Sequence, residues 1–157
     1  MIRVWRVSEA RHAAAFDGEG ARKYGGRWNL PGTAVVYAAE SLSLALLELY
    51  VHLDPEDIPA SLAATSAELP EDISVERWEQ ERLPSTWRDL PVSYRTQQLG
   101  TAWAESRRTC VLIVPSSVVP QEDLYVANPA HPEFPRIVVG EPEAFSLDPR
   151  LTAHRRP

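Results

Sequence analysis

A chain of 157 residues with 44% apolar and 24% charged residues has the composition of one soluble globular domain with a sizeable core. Its formal charge of −6 and pI near 5.2 argue against nucleic acid as a direct ligand, because phosphate backbones are bound by basic faces. A single cysteine, Cys110, excludes an intrachain disulfide, and no stretch reads as a signal peptide or membrane span, so the expected setting is the cytoplasm, away from membranes.

The alternating run Ile2-Arg3-Val4-Trp5-Arg6-Val7 predicts a strand, after which Ser8 stands where it would cap a short helical patch from Glu9 to Phe16. Residues 17–32 carry Gly18, Gly20, Gly25, Gly26 and Gly32, a density that predicts a long loop able to approach a ligand closely. The glycine spacing matches neither the dinucleotide fingerprint nor the P-loop. Val35 to Ala38 predict a second strand, and Ser41 is placed to cap a leucine-rich helix reaching His52, which Pro55 and Pro59 then terminate. Ser61 to Leu69 alternates weakly and reads as an edge strand. Residues 70–91 are mixed and charged, with Trp78 and Trp87, and read as helical turns and loop over the core.

Ser93 precedes a helix from Tyr94 to Arg107 with an apolar stripe of Leu99, Ala102 and Trp103. Thr109 to Val114 is a β-branched strand ended by Pro115, and Cys110 within it reads as a buried structural thiol. A turn at Ser116-Ser117 and a loop lead to Leu124-Tyr125-Val126. Residues 136–140 and 144–147 predict the last two strands, and residues 152–157 a disordered tail. The short basic runs Arg107-Arg108 and Arg155-Arg156 read as solvated surface. Strands and helices mix without regular βα alternation or repeats. The expected fold class is therefore α+β: one compact domain with a split, mostly antiparallel sheet and flanking helices.

The leucine-rich helix is apolar on most sides and so is expected inside the core, yet it carries Glu48. An unpaired carboxylate there costs several kcal/mol, roughly. Arg27, Tyr37 and Ser116 stand out beside it, and each has a bland reading. Arg27 can offer a planar fork to phosphate or carboxylate, or be a surface arginine in a mobile loop. Tyr37 can be a ligand platform, or a core tyrosine with a hydrogen-bonded tip. Glu48 can be catalytic, or an ion-pair partner of Arg27 or Arg3. Ser116 can simply cap a turn. His131 has no second His or Cys at ligand spacing, so no metal is expected, and no Gly-x-Ser-x-Gly elbow supports a serine hydrolase.

The motifs Gly26-Arg27-Trp28-Asn29, Val36-Tyr37, Ser41-Leu42-Ser43-Leu44-Ala45-Leu46-Leu47-Glu48, Val114-Pro115-Ser116 and Asn128-Pro129-Ala130-His131-Pro132 occur in an order that resembles the RES domain family. Phe145 with Asp148, Arg150 and Leu151 resembles the family's ending, so the resemblance spans residues 1–151. One departure is Leu124, where the family commonly carries Asn before the Tyr. The resemblance implies an ADP-ribosyltransferase-like fold and the toxin of a type II toxin–antitoxin pair. Its partner would be an Xre-type antitoxin with a helix-turn-helix region. It also implies degradation of NAD⁺ as substrate, by water or phosphate, with no separate cofactor. Modification of a protein target is the alternative, and a non-catalytic interaction module the second; a homodimer is left open. The matching catalytic positions are Arg27, Glu48 and Ser116, joined by Tyr37. Trp28, Asn29 and Asn128 join Arg27, Tyr37 and Ser116 as substrate-binding candidates.

Overall fold

The computed structural model describes residues 1–153, and the expected tail at 154–157 lies outside them. Strand β1 (Ile2–Glu9) pairs antiparallel along its whole length with β3 (Leu62–Leu69), from Ile2 opposite Leu69 to Glu9 opposite Leu62. That pairing carries Ser8 into the ladder, so it caps nothing, and only a 3-10 turn at Ala10–His12 follows. Paired residues share a face. Val4 and Ala67 pack into one core cluster, Val7 and Ala64 into the other.

β3 corrects the expectation of an edge. Its far side is paired by β7 (Val138–Val139) and β8 (Glu143–Phe145), and most of its residues are buried. A strand covered on both faces has no reason to alternate, which is why its pattern was weak. The last strands are shorter than expected: a 3-10 turn at Phe134–Arg136 takes the first residue of the 136–140 segment, and β8 ends at Phe145. Within residues 17–32, glycine brackets a helix instead of opening a loop. α1 (Glu19–Tyr24) runs between Gly18 and Gly25, both at positive φ.

β2 (Val36–Ala39) pairs antiparallel with β6 (Asp123–Ala127), which pairs antiparallel with β5 (Val111–Pro115). β4 (Val75–Arg77), inside the stretch read as turns and loop, adds the single parallel pair among the described residues, against β5. The strand order is β4-β5-β6-β2-β1-β3-β7, with β8 also on β3. The two halves of this sheet meet at one registered pair, Trp5 opposite Ala39. This is the split, mostly antiparallel sheet of an α+β domain.

β5 is buried throughout and alternates between two cores. Leu112 and Val114 join Trp28, Leu44, Trp87, Trp103, Leu124 and Val126 on the face covered by α2 (Leu42–Tyr50) and α3 (Tyr94–Ser106). Val111 and Ile113 join Val36, Tyr125 and the buried Cys110 on the other. Both helices start where their serines indicate. Ser41 Oγ accepts from Leu44 N at 3.1 Å, and Ser93 Oγ from Arg95 N at 3.2 Å.

α2 also corrects an expectation. It rests on β1 and β2 by one side, burying Leu44 and Ala45, while Leu47 is 38% and Val51 50% exposed. An apolar sequence all round had suggested immersion; only one side of this helix meets the sheet. α4 (Pro149–Ala153) closes the described chain, so Thr152 and Ala153 are helical, and Tyr50 donates from α2 to Leu151 O at 2.6 Å. No helix among the described residues is long and apolar enough to cross a membrane.

Candidate active site

The glycine-arginine turn before β2 is fastened from below and from the side. Gly26 and Asn29 form an isolated antiparallel bridge, with Gly26 N donating to Asn29 O at 3.0 Å. Tyr37, pointing up from β2, donates its hydroxyl proton to Asn29 Oδ1 at 2.6 Å and accepts from Trp28 N at 3.0 Å. A Cβ on Gly26 would fall 2.7 Å from that hydroxyl, so only glycine admits the tyrosine here. α3 supports the same turn. Gln97 Nε2 donates to Gly26 O at 3.1 Å, and Leu30 N donates to Thr101 Oγ1 at 2.9 Å.

These contacts separate the residues singled out by sequence. Asn29 is fully buried and donates through Nδ2 to the carbonyls of Ala21, Thr33 and Leu30. Trp28 is buried edge-on against Trp78, ring centroids 5.6 Å apart. Asn128 is buried as well, donating to Ala104 O at 2.8 Å and accepting from Ala130 N at 3.0 Å. All three side chains are packed into the scaffold beneath the site. Burial pushes the Tyr37 phenol well above its usual pKa, so it stays a neutral donor. The bland reading of Tyr37, a core tyrosine with a bonded tip, describes what its hydroxyl does.

Glu48 and Ser116 meet across 68 positions of sequence. Ser116 Oγ donates to Glu48 Oε1 at 2.6 Å, while the same oxygen accepts from Val118 N at 3.1 Å and Val119 N at 3.0 Å. The serine is fully buried, and Glu48 is half-buried near the end of α2. The hydroxyl thus caps the turn after β5 and aims its proton at a carboxylate. The turn-cap reading of Ser116 describes two of its contacts, and the same hydroxyl also faces the Glu48 candidate.

Arg27 does not pair with Glu48. Its Nη1 donates to the carbonyls of Trp87 at 2.8 Å and Asp89 at 3.2 Å. Glu48 and Tyr37 lie near enough to favour its positive charge, but burial outweighs them and lowers its pKa; a guanidinium nonetheless remains charged. The structure therefore brings Arg27, Tyr37, Glu48 and Ser116 to one place, from the turn, β2, α2 and the end of β5. Leu124, where the motif usually has a polar residue, is buried in the core with Leu112 and Val114. An open, polar groove of about 310 Å³, lined by Arg77, Trp78, Pro115, Gln121 and Asp123 among others, runs past the residue before Ser116. None of the four site residues lines it. Among the described residues, no three His, Cys, Asp or Glu side chains gather to hold a metal.

The RES domain model matches residues 3–148. The chain belongs to the RES domain family. Among its relatives, the "Prs ADP-ribosylating toxin" of Sphingobium sp. is 39% identical over 152 residues, covering 94% of each chain. "Toxin Res" of Yersinia enterocolitica is 36% identical over 94% of this chain and 98% of its own length. The solved M. tuberculosis MbcT–MbcA toxin–antitoxin complex contains a chain that superposes with a TM-score of 0.74 at 18% identity, covering 97% of this chain and 87% of that one. At that identity the last likeness concerns the fold of this RES domain alone.

Sequence reading passed over one side chain beside the site. Arg88 lies in the mixed stretch 70–91, between the two residues whose carbonyls hold Arg27. Its Nε donates to Ser117 O at 3.1 Å, and its guanidinium lies 5.9 Å from the Trp87 ring centroid. Periodicity could not have found it, since no regular element surrounds it. The adjacent Trp-Arg pair was the available signal.

Proposed function

We propose that this RES domain is the toxin of a toxin–antitoxin pair and that it breaks the nicotinamide–ribose bond of NAD⁺. The observation that carries the reading is the Ser116–Glu48 hydrogen bond beside an arginine that is not neutralised by an ion pair. The names of its relatives, toxins in each case, support it at the level of class.

The chemistry asks little of the protein beyond charge and position. As the bond between ribose C1′ and the pyridinium nitrogen breaks, its electron pair neutralises the pyridinium, and positive charge develops on the ribose ring. A carboxylate fixed near that charge stabilises the transition state more than the ground state. Glu48 is such a group, with Ser116 holding one oxygen in place. Because nicotinamide leaves as a neutral molecule, no strong general acid is needed. Water then bonds to C1′ and releases a proton, giving ADP-ribose; phosphate in its place gives the phosphorylated sugar. Arg27 binds the pyrophosphate of the substrate, through the donors that the 87 and 89 carbonyls leave free. The Tyr37 ring forms part of the floor under the nicotinamide, its hydroxyl being engaged with the turn.

A second reading shares this bond cleavage and differs in the acceptor: a protein side chain takes the ADP-ribose. The name of the Sphingobium relative favours it. Purified protein free of antitoxin, incubated with NAD⁺ with and without phosphate, is expected to release nicotinamide. Absence of turnover in both conditions would overturn hydrolysis and phosphorolysis. Biotinylated NAD⁺ in a cell lysate separates the acceptors, since transfer gives a discrete labelled band and hydrolysis gives free ADP-ribose. The expected partner is an Xre-type antitoxin, testable by co-purification.

A further inference from the structure

The loop beside Glu48 and Ser116 holds a second guanidinium close to the first. Arg27 grips the carbonyls immediately before and after Arg88, and Arg88 grips the carbonyl immediately after Ser116. The contacts form a chain from Arg27 through residues 87–89 to Ser117, Ser116 and Glu48. Two like charges held near each other repel. Arg3, Arg77, Arg108 and Arg136 each hold a carboxylate, whereas Arg6 is held by carbonyls alone and has no second guanidinium beside it. Among the described residues, neither Arg27 nor Arg88 forms an ion pair.

Each arginine also keeps donors in reserve. Arg27 spends only Nη1 on the protein, and Arg88 only Nε, so Nη2 of Arg27 and both terminal nitrogens of Arg88 have no hydrogen-bond partner among the described residues. Arg88 is exposed while Arg27 is half-buried, so the pair spans the site from its rim inward. Carbonyl tethers orient a guanidinium without cancelling its charge. That arrangement suits an anion with two charged centres, since each planar fork can take one phosphate.

We infer that Arg88 is a substrate-binding residue, forming with Arg27 a two-guanidinium seat for a diphosphate at the mouth of the Glu48–Ser116 site. The inference rests on the NAD⁺ reading for the identity of the whole substrate, but the seat itself is defined by the diphosphate. It assigns Arg88 to binding and not to bond cleavage.

ADP, which carries the diphosphate and no nicotinamide, is the probe. Calorimetry on the intact purified chain should show ADP binding that Arg88→Gln weakens roughly tenfold, as expected for loss of a hydrogen bond to a charged group. Arg88→Lys, which keeps the charge but cannot reproduce the Nε bond to Ser117 O, should recover part of the loss. In turnover, Arg88→Gln should raise KM for NAD⁺ by a similar factor and leave kcat within about twofold. ADP bound equally by wild type and Arg88→Gln, or by neither, overturns the seat even if nicotinamide is released. Loss in Arg88→Gln with a lowered melting temperature and no recovery in Arg88→Lys also overturns it, because the bond to Ser117 would then be structural. Arg88-dependent ADP binding without nicotinamide release supports the seat and refutes only the cleavage reading.

Discussion

Replacing Glu48 by Gln tests the site with little change of shape. The amide keeps the volume, and its oxygen can still accept from Ser116 Oγ, now 2.6 Å from the carboxylate. Exchanging a charge-assisted bond for a neutral one costs about 1 kcal/mol, while removing the charge relieves the half-buried group of part of its desolvation penalty. The melting temperature should therefore move by no more than about 4 °C. The effect on chemistry is larger. A carboxylate about 4 Å from the developing ribose charge, at an effective dielectric near 20, contributes roughly 4 kcal/mol as an upper figure. Each ~1.4 kcal/mol is tenfold in rate, so turnover should fall by roughly 100-fold, with about 1,000-fold as the ceiling. Binding to the antitoxin should persist. Melting temperature, nicotinamide release and antitoxin pull-down would be measured on one preparation. A folded variant with near-normal turnover would refute the catalytic reasoning, and an unfolded one would make Glu48 a structural partner of Ser116.

Ser116→Ala should be both less stable and less active, because it leaves Val118 N, Val119 N and Glu48, all half-buried, without their shared partner. A loss of roughly 2–3 kcal/mol is expected, and an unchanged urea midpoint would contradict it. Gly100→Ala would place a Cβ 1.8 Å from Trp28 O, so α3 or the glycine-arginine turn must move. We expect a cost of about 3 kcal/mol or more, with activity falling alongside, read by melting temperature and nicotinamide release. Far from the site, the hydroxyl and backbone N–H of Ser74 hold the Glu133 carboxyl below its usual pKa. A carboxyl depressed in the folded state stabilises above its unfolded pKa, and that contribution disappears as pH falls through the folded value. Ser74→Ala should flatten the acid limb of the stability profile below the ordinary glutamate pKa; an unchanged acid limb would exclude this coupling.

The sequence by itself determined the local elements and the family. Ser41 and Ser93 mark the starts of α2 and α3 because a cap is satisfied within one helical turn. The β-branched run at Thr109 to Val114 locates β5 to within two residues because branched side chains suit a pleated, buried surface. The ordered motifs supplied Arg27, Tyr37, Glu48 and Ser116 as candidates. Tertiary structure decided what those residues touch. The partner of Glu48 proved to be a serine 68 positions away, and the partners of Arg27 are carbonyls 60 and 62 positions away. Nothing in local spacing encodes such pairings, since they depend on which strands become neighbours. The same holds for Asn29 and Asn128, whose amides read as ligand groups in sequence and are engaged by backbone carbonyls in the fold. It holds again for β3 and α2. An apolar pattern states that a face can be buried, but only the packed chain shows whether something covers it: strands flank β3 on both sides, and the sheet covers just one side of α2.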